Sequence, residues 1–357
     1  SLIYEIMPER NRKEYDVVND TDFAYELVGK ARFRTCVYRD INGPSMAMRL
    51  IPFEVLTIEK LGLPPEVKDL TQLPKGIILH TGPTGCGKST TLAAMLDHVN
   101  KTRTDHVITI EDPVEFTHDN MNCIFSHRQV GTHTESFKRA LRQSLRQDPD
   151  VILVGEMRDL ETTALAITAA ETGHLVFSTV HTSTASSSVD RIIDQFPPDR
   201  QEQIRVMLSS TLKAVITQML CKRKGGGRVA AYEILIVHSA VSNLIREKKT
   251  YQLNSVIQTG KKYGMVTMNE SLMSLVARDI VALDEAYTKS TDKQDMNERV
   301  NNWLLMQVQS NEVEPMEALR RSFFRPKMLE MLKQHGYSRR LKGSTLEAMD
   351  MTEERVV

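Results

Sequence analysis

At 357 residues the chain is too long for one ordinary domain and fits two or three, each able to bury its own core. Lys plus Arg equals Asp plus Glu, 46 each, so no global field concentrates nucleic acid or anionic lipid, and any such contact must be a local patch. No apolar run nears the roughly 20 residues of a spanning helix, and the N-terminal SLIYEIMPER lacks the apolar core of a signal peptide, so a soluble intracellular protein is expected. The four cysteines, Cys36, Cys86, Cys123 and Cys221, lie far apart without a CxxC pair, which fits reduced thiols rather than a zinc site.

In chain order, residues 1 to about 68 read as a small α/β module with strand-like segments at Arg32–Arg39 and Met46–Ile51. The proline-bearing stretch Leu61–Gly76 reads as a linker. From Gly76 short apolar strands alternate with helical patterns: GIILHTG, HVITIED, DVILVGE, HLVFSTVH and RVAAYEILI. SFKRALRQSLRQ and DLETTALAITAAETG lie between them as helices, a texture that predicts an α/β fold with a mainly parallel sheet. Ile204, Met207, Leu208, Leu212, Val215, Ile216, Met219 and Leu220 recur at helical spacing and predict one long helix. From about Ala240 the pattern is helical to the end.

GPTGCGKST, from Gly82 through Pro83, Thr84, Gly85, Cys86, Gly87, Lys88 and Ser89 to Thr90, follows a strand and enters a helical pattern. That order aims backbone N–H groups and a helix N-terminus at phosphates, so these nine residues are expected to bind ATP. Lys88 is then placed to reach the β- and γ-phosphates and Ser89 to hold Mg²⁺. In DPDVILVGEMRD the strand ends in Gly155 and Glu156, and Glu156 is the expected base that deprotonates the attacking water, against the plainer reading of a salt-bridged strand-end carboxylate. ITIEDPVEF sets Glu111, Asp112 and Glu115 after a strand, where carboxylates polarise water, hold metal-bound water or simply aid solubility. His174 and His181 flank one strand seven residues apart, about 23 Å if extended, too far for one metal ion; His181, at the C-terminal end, is the candidate sensor of the γ-phosphate.

In this order and spacing the phosphate loop, the acidic box IEDPVEF, the GE-type box LVGEMRD and the histidine box ETGHLVFSTVHT resemble the secretion-ATPase superfamily. The run LRQDPDVILVGEMRDLETTALAITAAETGHL resembles in particular the PilT family, ATPases that retract type IV pili. The resemblance implies a PAS-like N-terminal α/β domain, 1–68 and truncated at its start, a linker at 69–75 and a RecA-like P-loop NTPase core at 76–238. A C-terminal helical subdomain at 239–294 follows, with a helical tail of unassigned role at 295–357. It further implies ATP and Mg²⁺ as cofactors, a homohexamer and Glu111 as a Mg²⁺ or water partner. His174 and His181 become nucleotide-state sensors, and N-terminal arginines approach a ring neighbour's nucleotide. Arg32, Arg34 and Arg49 match those arginines, but Asn42-Gly43 stands where many members have Arg-Gly, leaving Arg39 to substitute. AVSNLIRE resembles the helix associated with retraction, with Val241 and Ser242 where Ile and Arg are usual.

The partner so implied is a platform protein of the bacterial inner membrane, with a paralogous ATPase beside it, and the motor lies in the cytoplasm against that membrane's inner face. Extension and type II members carry a tetracysteine zinc module after the long helix. CKRKGGGRV, Cys221–Val229, leaves no room for one and is expected to be a helix-to-strand turn whose cations offset the helix dipole. Neither zinc nor nucleic acid is therefore expected as a partner. A RecA-like nucleic-acid translocase, a nucleotide-gated scaffold and a small-molecule kinase are the other classes a phosphate loop permits.

Overall fold

The computed structural model describes residues 2–51 and 54–341. The chain opens with helices Leu2–Ile6 and Glu9–Val18, followed by three antiparallel strands, β1 (Asp20–Leu27), β2 (Ala31–Asp40) and β3 (Gly43–Ile51), in that spatial order. β1, not anticipated from sequence, places Thr21 and Phe23 inward by simple alternation, and Phe23 packs with Met7, Tyr15 and Val37 under the helix. Part of the expected linker is helical: Glu66–Thr71 buries Val67, Leu70 and Thr71, and Pro65 precedes it at the N-cap, where a missing N–H costs nothing.

The larger sheet contains β4 (Gly76–Thr81), β5 (His106–Glu111), β6 (Ile124–Gln129), β7 (Val151–Val154), β8 (Leu175–Val180), β9 (Leu212–Lys222) and β10 (Arg228–Ile236). Its seven strands lie in the order β10-β9-β4-β8-β7-β5-β6, and the pairs β4·β8, β4·β9, β5·β6, β5·β7 and β7·β8 are parallel. Every residue of β4, β7 and β8 is buried, which is why these segments read as unbroken apolar runs rather than alternating ones. Helices Lys88–Thr102, Phe137–Ser144, Leu160–Glu171, Ala185–Asp194 and Pro198–Thr211 connect the strands. Three of them begin at side-chain caps, Ser136, Asp159 and Thr184, each accepting a backbone N–H.

The long helix predicted through Leu220 ends at Thr211, and its second half is β9. An apolar run satisfies both periods when both faces are buried, and the β-branched triplet Val215-Ile216-Thr217 favours the extended form. Pairing with β4, from Ile77 opposite Leu212 to Thr81 opposite Thr217, settles the choice. CKRKGGGRV is therefore a strand-to-strand turn, not a helix-to-strand one. Arg223 N donates to Gly227 O at 3.1 Å, and Gly225, Gly226 and Gly227 all take positive φ (81°, 105° and 79°), a path barred to most side chains. The cations have no helix end to offset here; Lys224 instead pairs with Asp279. Cys221 is fully buried among apolar side chains, and it and the other three cysteines are free thiols.

The chain packs as two compact units. One comprises residues through Gln218 together with Glu233–Met265; the other comprises Met219–Tyr232 and Val266 onward. The second unit has its own core, in which Leu272, Val281 and Ala286 meet tail residues Val300, Leu304, Leu319, Phe323, Met328 and Leu332. The tail as far as Leu341 thus packs on its own subunit, while residues 342–357 of the predicted tail lie outside the described residues. Phe323 is wholly buried and stacks on Tyr287 with ring centroids 3.8 Å apart. Trp303, the sole tryptophan, packs against this core and reports on it. Phe323→Ala should cost about 3–5 kcal/mol, seen as a lower urea midpoint for the Trp303 fluorescence transition.

Candidate functional site

Parallel register brings four strand ends to one edge of the sheet. Thr81 pairs with Val180, Ile110 with Val154 and Val154 with Ser178, so Gly82, Glu111, Gly155-Glu156 and His181 emerge side by side. β8 carries His174 before its first residue, level with Gly76, at the opposite edge. There Nδ1 of His174 lies 2.8 Å from Ala169 O, at the end of helix Leu160–Glu171. Within this chain the expected histidine pair is thus split: His181 joins the loop and His174 does not.

The phosphate loop runs from Gly82 to helix Lys88–Thr102. Gly82 has φ 139°, and a Cβ there would sit 2.3 Å from Gln218 O; Gly87 has φ 93°, and a Cβ would meet Gln218 Nε2 at 2.9 Å. Glycine is needed at both for backbone angle and for space. Gln218, on β9 and nearly inaccessible, braces the loop from behind: Nε2 donates to Cys86 O at 2.7 Å, and Oε1 accepts from Thr91 Oγ1 at 2.7 Å. Sequence reasoning missed Gln218 because its segment was read as helix; as a polar residue in a buried run beside the loop strand, it carried a signal once the run is read as strand. Pro83, Thr84 and Gly85 form the exposed crest of the loop, while Ser89 and Thr90 are half-buried in the first helical turn.

Lys88 is buried, and its Nζ donates to Gly82 O at 2.7 Å and Pro83 O at 3.1 Å, a position from which it can swing to phosphate oxygens. Burial lowers its pKa, and the Glu156 carboxylate opposes that fall. Burial raises the Cys86 thiol, which stays protonated and unreactive. Glu111 is buried too, and desolvation lifts its carboxyl from 4.5 to about 7 against a hydrogen bond from Thr109. Ser89, Thr109, Glu111, Gly155 and Thr179 line one small pocket with His118 and Phe116. Serine, threonine and glutamate oxygens are the hard donors Mg²⁺ takes, so Ser89 and Glu111 fit the expected ion by chemistry.

Glu156 forms an ion pair with Arg158, whose Nε stands 2.6 Å away, and lies 3.5 Å from His181 Nε2. The plainer reading of a salt-bridged strand end is thus realised in part, yet Arg158 is three-quarters exposed and free to swing away, while the carboxylate is mostly shielded. Gly155 has a steric reason: a Cβ would stand 3.1 Å from Ile110 O and 3.3 Å from Glu111 Cα, so a side chain there would push β5 and β7 apart. On the N-terminal sheet, Arg34 and Arg49 are direct cross-strand neighbours, and the Arg34 charge acts on Asp112. Arg32 acts on Glu111, whereas Arg39 lies opposite Pro44 near the far end of β2. Helix Ser239–Arg246 buries Val241 and Ile245 in the ATPase core.

The sequence pattern of the Type II/IV secretion system protein family matches residues 5–288. The chain belongs to this family. It is 50% identical to the type IV pilus retraction ATPase PilT of Pseudomonas aeruginosa over 290 residues, 81% of this chain and 84% of that one. A twitching motility protein of Neisseria gonorrhoeae is 48% identical over 83% of this chain and 80% of its own. A crystal structure of the pilus retraction motor PilT with bound ADP superposes with a TM-score of 0.77 at 46% identity, covering 82% of this chain and 84% of that chain. An N-terminal domain joined to an ATPase domain is the shared architecture, and the protein is a nucleotide-using ATPase of this family.

Gln218→Leu strands the Cys86 carbonyl and the Thr91 hydroxyl and should weaken ADP binding roughly tenfold to a hundredfold, about 1–3 kcal/mol, as read by calorimetric titration. For Glu111 the folded pKa lies above the ordinary one, so its contribution to stability is full below pH 4.5 and is lost as pH rises through about 7. Without nucleotide, Glu111→Gln should therefore gain on the wild type across that window, by up to roughly 3 kcal/mol above it. Urea unfolding followed by circular dichroism at pH 5 and pH 8 measures the difference.

Proposed function

We propose that the protein is a hexameric, Mg²⁺-dependent motor that retracts type IV pili by coupling ATP hydrolysis to movement of its N-terminal domain against its ATPase domain. The observation that carries the hydrolytic part is the Glu156 carboxylate, shielded beside the phosphate loop and 3.5 Å from His181. The loop N–H groups and Lys88 bind the β- and γ-phosphates. Glu156 takes the proton of the attacking water after releasing Arg158, and His181 orients that carboxylate and reads the γ-phosphate. Mg²⁺, held by Ser89 with Glu111 through water, would neutralise phosphate charge. Arg34 and Arg49, with Arg32 beside them and Arg39 as the alternate, supply positive charge at a nucleotide, from a ring neighbour where the hexamer brings them there; such a residue is worth on the order of 10³ or more in rate. His174, at the sheet's other edge against Ala169 O, would sense the nucleotide state only away from the loop.

The retraction reading is supported by the names of the relatives and by the tight turn at Gly225–Gly227, which carries no zinc-binding insertion between β9 and β10. Its partners would be a platform protein of the inner membrane and a paralogous ATPase. It would act at the cytoplasmic face of that membrane, in keeping with the lack, among the described residues, of a helix long and apolar enough to cross one. The domain plan 1–68, 69–75, 76–238, 239–294 and 295–357 belongs to the same proposal. Zero net charge speaks against a nucleic-acid track.

Glu156→Gln should lower ATP turnover at least a hundredfold with ADP affinity retained; wild-type turnover would remove Glu156 as the base. In a piliated cell lacking the protein, single pili should extend and fail to withdraw, and normal withdrawal, or strong stimulation of the ATPase by DNA, would overturn the motor reading.

A further inference from the structure

Behind Glu111 lies a run of polar side chains that the hydrolytic reading leaves unused. Thr109 stands two residues before Glu111 on β5, so both side chains leave the same face of the sheet. Its register partner on β6 is His127, and Thr109 Oγ1 lies 2.9 Å from His127 Nδ1. The other ring nitrogen, Nε2, is 3.1 Å from the backbone N of His118. A backbone N–H can only donate, so Nε2 is the acceptor and a neutral ring carries its proton on Nδ1. His118 O, at 3.4 Å from Nε2, is the longer and weaker alternative. Nδ1–H therefore donates to Thr109 Oγ1, whose own hydrogen is left for the pocket wall that it shares with the Glu111 carboxyl, and Thr109 acts to lower the pKa of that carboxyl against burial.

Two links have a fixed direction, His118 N–H to His127 and His127 to Thr109, and they leave the Thr109 hydrogen for the face of β5 that Glu111 shares. Burial keeps the His127 ring neutral, as the direction requires. Its plane is held by stacking, with centroids 5.6 Å from Phe125 and 6.1 Å from His118, and His118 stacks on Phe125 at 4.8 Å. A chain of donors ending on a carboxylate orients it and favours its accepting form.

We propose that His127, acting through Thr109, is a positioning residue that aims the Glu111 carboxylate and holds it ready to accept hydrogen bonds from water at the nucleotide site. The inference rests on the role given to Glu111 above. A cross-strand Thr–His pair serving only the packing of β5 on β6 would make the same contacts, but it would respond differently to substitution, because packing depends on the threonine methyl and positioning on the hydroxyl.

Thr109→Val keeps shape and removes the hydroxyl; Thr109→Ser does the reverse. Positioning predicts a turnover loss of roughly ten- to a hundredfold in Thr109→Val with ADP affinity unchanged, and near-normal turnover in Thr109→Ser even where its urea midpoint is the lower of the two. The opposite ranking of turnover overturns the proposal. Independently of activity, ¹⁵N resonances of the His127 ring, assigned by their loss in His127→Phe, should show the Nδ1–H tautomer in the wild type; an Nε2–H tautomer overturns it. Glu111→Gln separates the two levels. If that variant turns over ATP normally, the role of Glu111 itself is wrong and the inference goes with it. If it is slow while Thr109→Val is normal, only the inference falls.

Discussion

Parallel pairing in register is the constraint on which the functional edge depends. Because β4, β5, β7 and β8 run in the same direction and stop at nearly the same level, the residues that end or soon follow each strand arrive at one edge, and the phosphate loop, Glu111, Glu156 and His181 are those residues. Side-chain chemistry alone would not gather them, since they are spread over about a hundred positions of sequence. The same geometry carries His174 away, because a strand has two ends and only one of them faces the loop. Gly155 completes the arrangement by letting the tips of β5 and β7 approach without a side chain between them.

On that edge the electrostatics are arranged against the solvent rather than with it. Lys88 and Glu111 are both buried, and desolvation pushes each toward its neutral form. Their charges become favourable when countercharge is supplied inside the same shielded volume, as phosphate oxygens would do for Lys88 and a cation for Glu111. Gln218 makes no such contribution of charge. It fixes the loop backbone by saturating Cys86 O and Thr91 Oγ1, so the loop N–H groups stay available.

Several features were legible in the residues themselves. Fully buried strands of a parallel sheet appear as short apolar runs, and glycine spacing before Lys88-Ser89 has few physical meanings other than a phosphate loop. The β9 segment was illegible for the same reason that made β4 and β8 clear. A run buried on both faces has no period of its own, so Leu212–Leu220 fits a helix as well as a strand until β4 lies beside it. Gln218 was lost with that reading, and β1 was hidden by its acidic residues. The packing of the tail as far as Leu341 depended on partners about a hundred residues apart in places, such as Cys221 and Leu332 in one core.

By itself, then, the sequence determined the chemistry available: a phosphate-binding loop, carboxylates and a histidine at strand ends, and a family resemblance carried by their order. Local patterns suffice for this, because strand, turn and helix start are decided by a handful of adjacent residues. Only the tertiary structure decided which of those groups meet, which histidine faces the loop, what braces the loop from behind and where the glycine-rich turn lies. Those outcomes depend on strand register and on burial, and both are set by residues far apart in the chain.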